Sequence, residues 1–385
     1  MFTVEMLPAR FGDALLVEYG SQTHPHRILI DGGTAPTIDA LVSRLERIPS
    51  DERNFELLMV THIDTDHIGG VLNLLGDRTL GITFDDVWFN GWRHLPDVAA
   101  TDRLGPIDGE IMTIFLDGPN HADQPYRWNR AFGGSAAALD EDGSPTTIVL
   151  EGGMRITVLS PGKDQLQKLK RAWTTVVRQQ GWTEEQVRVV ARAAAKKKGV
   201  RLDEPGLGAE LSVGEVEGPL GTTNPIARWA AEPFVCDTAP ANGSTIAVLA
   251  EYEDKSVLLT GDGYPTVLKE SIAVLLRQRG QNRLRLSACK LAHHGSRGNT
   301  SGELLDQLAC TNYLISTNGA RFHHPDPQAI ARVIVRVRQH CALHFNYASE
   351  ESTLWDQPTW MRDHGYSCHY PPQMNAGYVF SAHDR

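Results

Sequence analysis

The 385-residue chain has no run of the roughly 18 apolar residues that a membrane-spanning helix requires, so no bilayer span and no membrane partner are expected. Its start, MFTVEMLPARFGD, lacks the basic-then-apolar layout of a secretory signal and reads as a first strand. Cysteine is sparse: Cys236, Cys289, Cys310, Cys341 and Cys368 are odd in number, widely spaced and never in a CxxC pair. That excludes a disulfide-stapled fold, argues against Cys-based zinc binding and suits a reducing compartment, so a cytoplasmic location is expected. No internal repeat is evident. With 41% hydrophobic residues there is ample material for a buried core in one large domain or two ordinary ones.

A net charge of −10 argues, taken alone, against a polyanionic partner. The charge is unevenly spread, however. Between Lys163 and Arg201 stand eleven cations, including Lys196, Lys197 and Lys198, against three anions, Asp164, Glu184 and Glu185. The segment reads as two helices broken at Gly181, and its cations form either a solvated face or a surface for a nucleic-acid backbone.

Short β-rich runs at Phe2 to Leu7, Ala14 to Tyr19 and Arg27 to Ile30 are punctuated by Pro and Gly. Ile38, Leu41, Val42 and Leu45 give Thr37 to Arg47 helical spacing. Leu57 to Val60 is a compact strand running straight into THIDTDHIGG. From Asp77 to about Gly134 the pattern loosens into what reads as an insert or surface loops. Hairpins are expected at Thr146 to Leu159 and Ser244 to Thr260. Strands at Ala288 to Ala292 and Tyr313 to Ser316 each lead into a histidine-bearing loop. Such an order predicts a layered α/β sandwich with its chemistry at strand ends.

The strongest feature is His62-Ile63-Asp64-Thr65-Asp66-His67, followed by Gly69-Gly70. Four metal-ligating side chains on one short loop would carry large unpaired-charge costs without a cation, and imidazole with carboxylate suits zinc, manganese or iron. Here the chain resembles the metallo-β-lactamase superfamily. The second motif of that family, His-x-His-x-Asp-His, is matched by His62, Asp64, Asp66 and His67. Its first motif is matched by Asp31 in ILIDGG, its bridging Asp by Asp262 in LLTGD, and its late His by His324 in HHPDP. Asp64 in place of His, Asn242-Gly243-Ser244 where a third-motif His would stand, and KLAHHGS at Lys290 to Ser296 are similar to the soluble hydrolase domain of ComEC/Rec2-type competence proteins.

This resemblance implies two divalent ions, Zn²⁺ or Mn²⁺, and a metal-activated water. One ion would take Asp66, His67 and His324, the other His62 and Asp64, with Asp262 bridging; Asn242 is a doubtful extra ligand. Asp31 would orient a ligating histidine from behind. Adjacent residues on an extended segment point opposite ways, so one of His293 and His294 is expected to face the metals. His293 is preferred, as a ligand or as the acid protonating the leaving oxygen. His294, Ser296, His323, Asn242, Lys196 and Lys197 are expected on the substrate side, and Asp66, His293 and Asp31 in the catalytic set.

The expected architecture is a four-layer αββα sandwich over residues 1–335 with a helical basic insertion at about 163–201, and a C-terminal extension at 336–385 packed on the core. The expected activity is metal-dependent hydrolysis of phosphodiesters, with DNA or another nucleic acid as substrate. Rival readings are hydrolysis of a small phosphodiester or an acyl or lactone substrate, and a partner-binding module with a retained metal site. No pattern specifies a protein partner or a homodimer contact.

Overall fold

Phe2, Val4 and Met6 alternate with Thr3 and Glu5, and the pattern returns after a short turn, so β1 (Phe2–Met6) and β2 (Leu15–Gly20) form as antiparallel neighbours. The computed structural model describes residues 1–96, 107–117, 126–179, 189, 193, 225–337, 339–373 and 376–383. Next come β3 (Pro25–Ile30), α1 (Ile38–Glu46), β4 (Asn54–Met59), α2 (Thr65–Gly76), β5 (Thr83–Trp88) and α3 (Ile107–Asp117). Then follow β6 (Thr146–Val149), β7 (Arg155–Ser160), α4 (Lys163–Gln179), α5 (Ile226–Ala231), α6 (Pro240–Gly243), β8 (Ala247–Tyr252) and β9 (Lys255–Leu259). The remainder used here is α7 (Pro265–Arg279), β10 (Leu284–Arg285), β11 (Ala288–Lys290), α8 (Gly302–Asp306), β12 (Leu308–Ala309), β13 (Asn312–Ile315), α9 (Pro327–Arg336), β14 (Cys341–Phe345), β15 (Tyr366–His369) and β16 (Tyr378–Ser381).

Among the described residues, one sheet runs β16-β1-β2-β3-β4-β5 and the other β15-β14-β13-β11-β9-β8-β7-β6, with β10 and β12 paired separately. Apolar residues of the two sheets face each other in a shared core that includes Val17, Ile28, Leu57, Ile156, Val248 and Leu259. Opposite faces are covered by helices: Leu41, Val71, Met112 and Trp173 lie over the first sheet, and Leu268, Leu304 and Ile334 over the second. The result is the αββα sandwich. In both sheets the parallel strands end at the same edge, where the loops after β3, β4, β9, β11 and β13 emerge.

Two elements lie where the sequence pattern reads as loops. β5 pairs in parallel with β4, its exposed Thr83, half-buried Asp85 and buried Asp86 having masked the strand. α3 packs on α2 through Ile111, Met112 and Phe115. The basic segment begins as α4, whose Leu166, Leu169 and Trp173 enter the core while the Lys170 ammonium donates to the Pro96 carbonyl at 3.0 Å. Lys196, Lys197 and Lys198 lie outside the described residues. C-terminal residues supply β14 and β15 to one sheet and β16 to the other.

The register of α2 on the first sheet depends on glycine. A Cβ at Gly70 would stand 1.9 Å from the Gly32 carbonyl oxygen, and the two backbones are tied by Gly32 N–H to His67 O (2.8 Å) and Gly70 N–H to Gly33 O (2.9 Å). This close approach brings the loop after β3 against the first turns of α2. Gly70→Ala should cost about 3 kcal/mol in urea unfolding because backbone must move, whereas Gly76→Ala, whose Cβ would meet the Phe115 ring at 3.5 Å, should stay within about 1 kcal/mol of wild type.

His344 on β14 joins the sheets near their edges, its Nδ1 2.7 Å from the Tyr378 hydroxyl of β16 and its Nε2 3.1 Å from Asn312 Oδ1. Burial, with the nearby His369 adding to it, pushes the imidazole down to about 3, so it is neutral when folded. On unfolding it regains an ordinary value near 6.5 and takes up a proton below that pH. Stability present above pH 6.5 is therefore lost as pH falls toward 3, by up to about 1.4 kcal/mol per pH unit. His344→Gln should flatten that slope by about one proton between pH 6 and 4 in urea titrations.

Candidate metal centre

The loop after β4 delivers Thr61 and His62, and Asp64 then takes the N-cap position of α2 without a side-chain cap bond, so Asp66 and His67 sit in the first turn. Behind them Asp31, at the end of β3, takes φ 57°, a left-handed conformation uncommon for a residue with a Cβ. Its Oδ1 accepts the Thr61 backbone N–H at 2.7 Å, and its Oδ2 accepts the Thr61 hydroxyl and His67 Nδ1–H, each at 2.7 Å. With the proton fixed on Nδ1, the Nε2 lone pair of His67 points away from Asp31.

Asp262, after β9, is the point on which the other loops converge. His67 Nε2 lies 3.3 Å from Asp262 Oδ2, His62 Nε2 3.7 Å, His293 Nε2 3.8 Å and His294 Nε2 3.9 Å. His62 Nε2 also lies 3.5 Å from Asp64 Oδ2, and His294 Nε2 3.5 Å from Asp66 Oδ2. Among the described residues, four overlapping groups have ligand atoms within 4.8 Å of one another: His62, His67 and Asp262; Asp66, His67 and His294; Asp13, Asp31 and His67; and Asp13, Asp262 and His294.

The decisive property is what these atoms lack. The Nε2 atoms of His62, His67 and His294, Oδ1 of Asp64 and of Asp262, and Oδ1 of Asn242 are all buried without a hydrogen-bond partner. A buried unsatisfied polar atom costs about 1–3 kcal/mol, and three such imidazole nitrogens close to the Asp262 carboxylate, itself left with an unpartnered oxygen, are compensated by a common cation. Imidazole nitrogens and carboxylate oxygens facing one another fit divalent cations of the zinc and manganese type.

Electrostatics point the same way. Burial alone would lower the His67 imidazole, but the Asp262, Asp31 and Asp66 carboxylates outweigh it and raise it well above its usual range. His294 is likewise raised to about 9, against burial, by Asp262 and Asp13. Asp262 is held well below the carboxylate range, against burial, by His67, His293 and His294. These histidines hold protons that a divalent cation would displace.

Several expected placements differ. His293 and His294 are not on an extended segment: both take left-handed angles (φ 49°, ψ 51° and φ 57°, ψ 21°), so both rings reach the centre. The buried His294 completes the group with Asp66 and His67, the position expected of His324. His324 stands farther out, its ring 5.2 Å from that of His293 and its Nδ1 3.6 Å from Asp326 Oδ2. His294 thus belongs to a cluster that could hold a metal ion, where the sequence reading expects it on the substrate side. His293 is partly exposed, its Nδ1 3.1 Å from Asn299 Oδ1. Asn242 donates from Nδ2 to Asp237 Oδ2 at 2.7 Å, leaving Oδ1 free. Ser296 Oγ accepts the Gly298 N–H at 3.2 Å and serves the turn, while the exposed His323 pairs with Glu351 at 3.1 Å.

Residues that the sequence reading passes over are Asp13, Thr61, Asp237, Lys290 and Asn299, all hydrogen-bonded or ion-paired around the centre. Asp108, at the start of α3, is another: burial and the nearby Asp64 raise its carboxyl to about 6. A lone Asp after Gly12 and a lone Lys inside the apolar strand ACK are the signals that mark the first and fourth of these.

Comparison with known proteins agrees with this geometry. The model of the metallo-beta-lactamase superfamily matches residues 7–83, which include Asp31, His62, Asp64, Asp66 and His67. ComE operon protein 3 of Bacillus subtilis (strain 168) is 24% identical over 168 residues, 42% of this chain. The aligned stretch spans 20% of that relative's length.

Asp31→Ala removes the acceptor of the His67 proton and of Thr61. It should weaken binding of one Zn²⁺ or Mn²⁺ by about 10- to 100-fold in a competition titration against a chromophoric chelator, with the fold retained by circular dichroism.

Proposed function

We propose that this chain, a member of the metallo-β-lactamase superfamily, is a metal-dependent hydrolase of phosphodiester bonds whose substrate is DNA or another nucleic acid. The observation that carries the hydrolase reading is the ring of unpartnered, buried donor atoms around Asp262. His62, Asp64 and Asp262, with the neutral Asn242 oxygen, would hold one ion; Asp66, His67, His294 and the shared Asp262 would hold the other. The first set is poorer in nitrogen and suits Mn²⁺ as well as Zn²⁺. When bound, two such ions lower the pKa of a water and offset charge developing on a phosphoryl oxygen.

The residues around the ions divide the remaining work. Asp31 holds His67 in one tautomer through the 2.7 Å Nδ1–H contact. His293, held at Nδ1 by Asn299 and partly open to solvent, is positioned to pass a proton from Nε2 to the leaving oxygen. Gly33 N–H to Asp13 O and Asp13 N–H to Asp66 O keep the loops locked together, so the site needs little reorganisation when substrate arrives.

A nucleic-acid substrate is supported by the rim. Arg321 is exposed, and its guanidinium lies 4.8 Å from the Phe322 ring and 5.2 Å from Phe11. Phe11 and Phe322 meet edge to face at 5.7 Å, and Phe322 lies 6.2 Å from His324, which borders His293. Two aromatic rings and a cation beside a phosphodiester site suit a flanking base and phosphate. The resemblance to the hydrolase domain of competence proteins agrees with a DNA-related role, as does the basic composition of residues 163–201.

The test is incubation with linear and circular DNA, RNA and a chromogenic aryl phosphodiester under Mn²⁺, Zn²⁺, Mg²⁺ or chelator. Cleavage of nucleic acid is expected with Mn²⁺ or Zn²⁺, none with chelator, and only background with Asp66→Ala. Arg321→Ala combined with Phe322→Ala should raise KM for DNA about tenfold while turnover of the aryl ester stays within about twofold. Hydrolysis of the small ester alone would contradict the nucleic-acid reading.

A further inference from the structure

Among the described residues, Lys290 and Asp13 form a fully buried charged pair beside the candidate metal centre. Lys290 closes β11 in the middle of the eight-stranded sheet, between β9 and β13. Its side chain has no solvent exposure, and its ammonium pairs with the Asp13 carboxylate, 1% exposed. Asp13 comes from the other half of the sandwich, in the turn between β1 and β2. That turn is fastened to the site by Asp13 N–H to Asp66 O (3.2 Å), Gly33 N–H to Asp13 O (2.7 Å) and Ser316 Oγ–H to Gly12 O (3.1 Å).

The second oxygen of Asp13 faces His294. Asp13 Oδ1 lies 3.4 Å from His294 Nδ1, which is also 2.8 Å from the Ser316 carbonyl oxygen. Both neighbours of Nδ1 are acceptors, so that nitrogen carries the proton and Nε2 presents a lone pair toward Asp66 and Asp262. Asp31 holds His67 more directly, accepting its Nδ1–H at 2.7 Å; at His294 the Ser316 carbonyl takes the Nδ1–H, and Asp13 Oδ1, 3.4 Å away and without a hydrogen bond, acts through its charge. Asp13 differs in having a permanent cation on its other oxygen. Asp13, Asp262 and His294 lie close enough to hold a cation of their own, but the Lys290 ammonium already sits against that carboxylate.

We propose that Asp13 is a positioning residue for His294, and that Lys290 is the fixed cation that reserves Asp13 for that task and keeps it from ligating metal. The proposal rests on the metal-centre reading above. A bare carboxylate in this place would compete with Asp262 for the ions; a Lys290 without Asp13 would leave an uncompensated buried charge beside them. With both present, the pair is neutral, and Asp13 Oδ1 faces the imidazole at 3.4 Å while the Ser316 carbonyl takes the Nδ1–H.

The test uses the full chain as wild type, Asp13→Asn and Asp13→Asn/Lys290→Met, titrated with Zn²⁺ and Mn²⁺ against a chromophoric chelator and melted in excess chelator. Wild type should bind two ions. Asp13→Asn should melt well below wild type and bind metal poorly, which a purely structural pair would also produce. The double variant distinguishes them. With both charges gone its melting should return to near wild type, while the affinity for one ion stays about 10- to 100-fold weaker, because nothing charged holds His294. Recovery of wild-type affinity for both ions in the double variant would overturn the proposal. So would ¹⁵N spectra of the Zn²⁺-loaded wild type showing His294 protonated at Nε2 instead of Nδ1, a readout independent of how any variant folds. A wild-type chain that binds neither ion overturns the metal-centre reading itself, and this proposal with it.

Discussion

The structure turns on a concentration of negative charge that burial makes expensive. Asp31, Asp64, Asp66 and Asp262 stand within one loop cluster, with Asp13 beside them and the permanent cation Lys290 paired to Asp13. Carboxylates in a desolvated pocket are stable only when paired, protonated or bound to metal. Histidine protons supply part of the compensation, as the raised His67 and His294 show. The unpartnered Nε2 and Oδ1 atoms show that protons do not supply all of it.

The fold serves this constraint by bringing strand ends from two sheets to one edge and bending the chain there. Asp31, His293, His294 and His323 all take positive φ, a conformation that L residues adopt at some cost and that clusters where geometry is imposed by function. At His293 and His294 the consequence is concrete, since two successive rings face the same centre. Close packing of Gly70 on Gly32 sets the distance between Asp31 and His67 in the same way. Backbone approach, rather than side-chain bulk, sets the centre's dimensions.

Much of this was legible in the residues themselves. His62, Asp64, Asp66 and His67 mark a metal loop by composition and spacing, and Asp31 and Asp262 lie where their short apolar strands stop. A layered α/β sandwich follows from the order of strands and helices, and the family resemblance implies its αββα form. What escaped did so for physical reasons. β5 carries Asp85 and Asp86 within its run, so its alternation looked like loop polarity. Spacing puts His294 on the substrate side because an extended backbone turns adjacent side chains opposite ways, and left-handed angles at two successive histidines leave no trace in spacing. Asp13 and Lys290 are 277 positions apart in the chain, and only the meeting of the two sheets makes them a pair. His324 matched a motif by its neighbouring proline, which says nothing about where its ring lies.

The central claim is that the orphaned atoms around Asp262 are ligands of two ions. Anomalous diffraction at the manganese edge, from crystals grown with Mn²⁺, tests it most directly. The account predicts two peaks sharing Asp262, one bounded by His62 and Asp64, the other by Asp66, His67 and His294. No peak at Asp262, or a second peak ligated by His324 while His294 stands free, would contradict it.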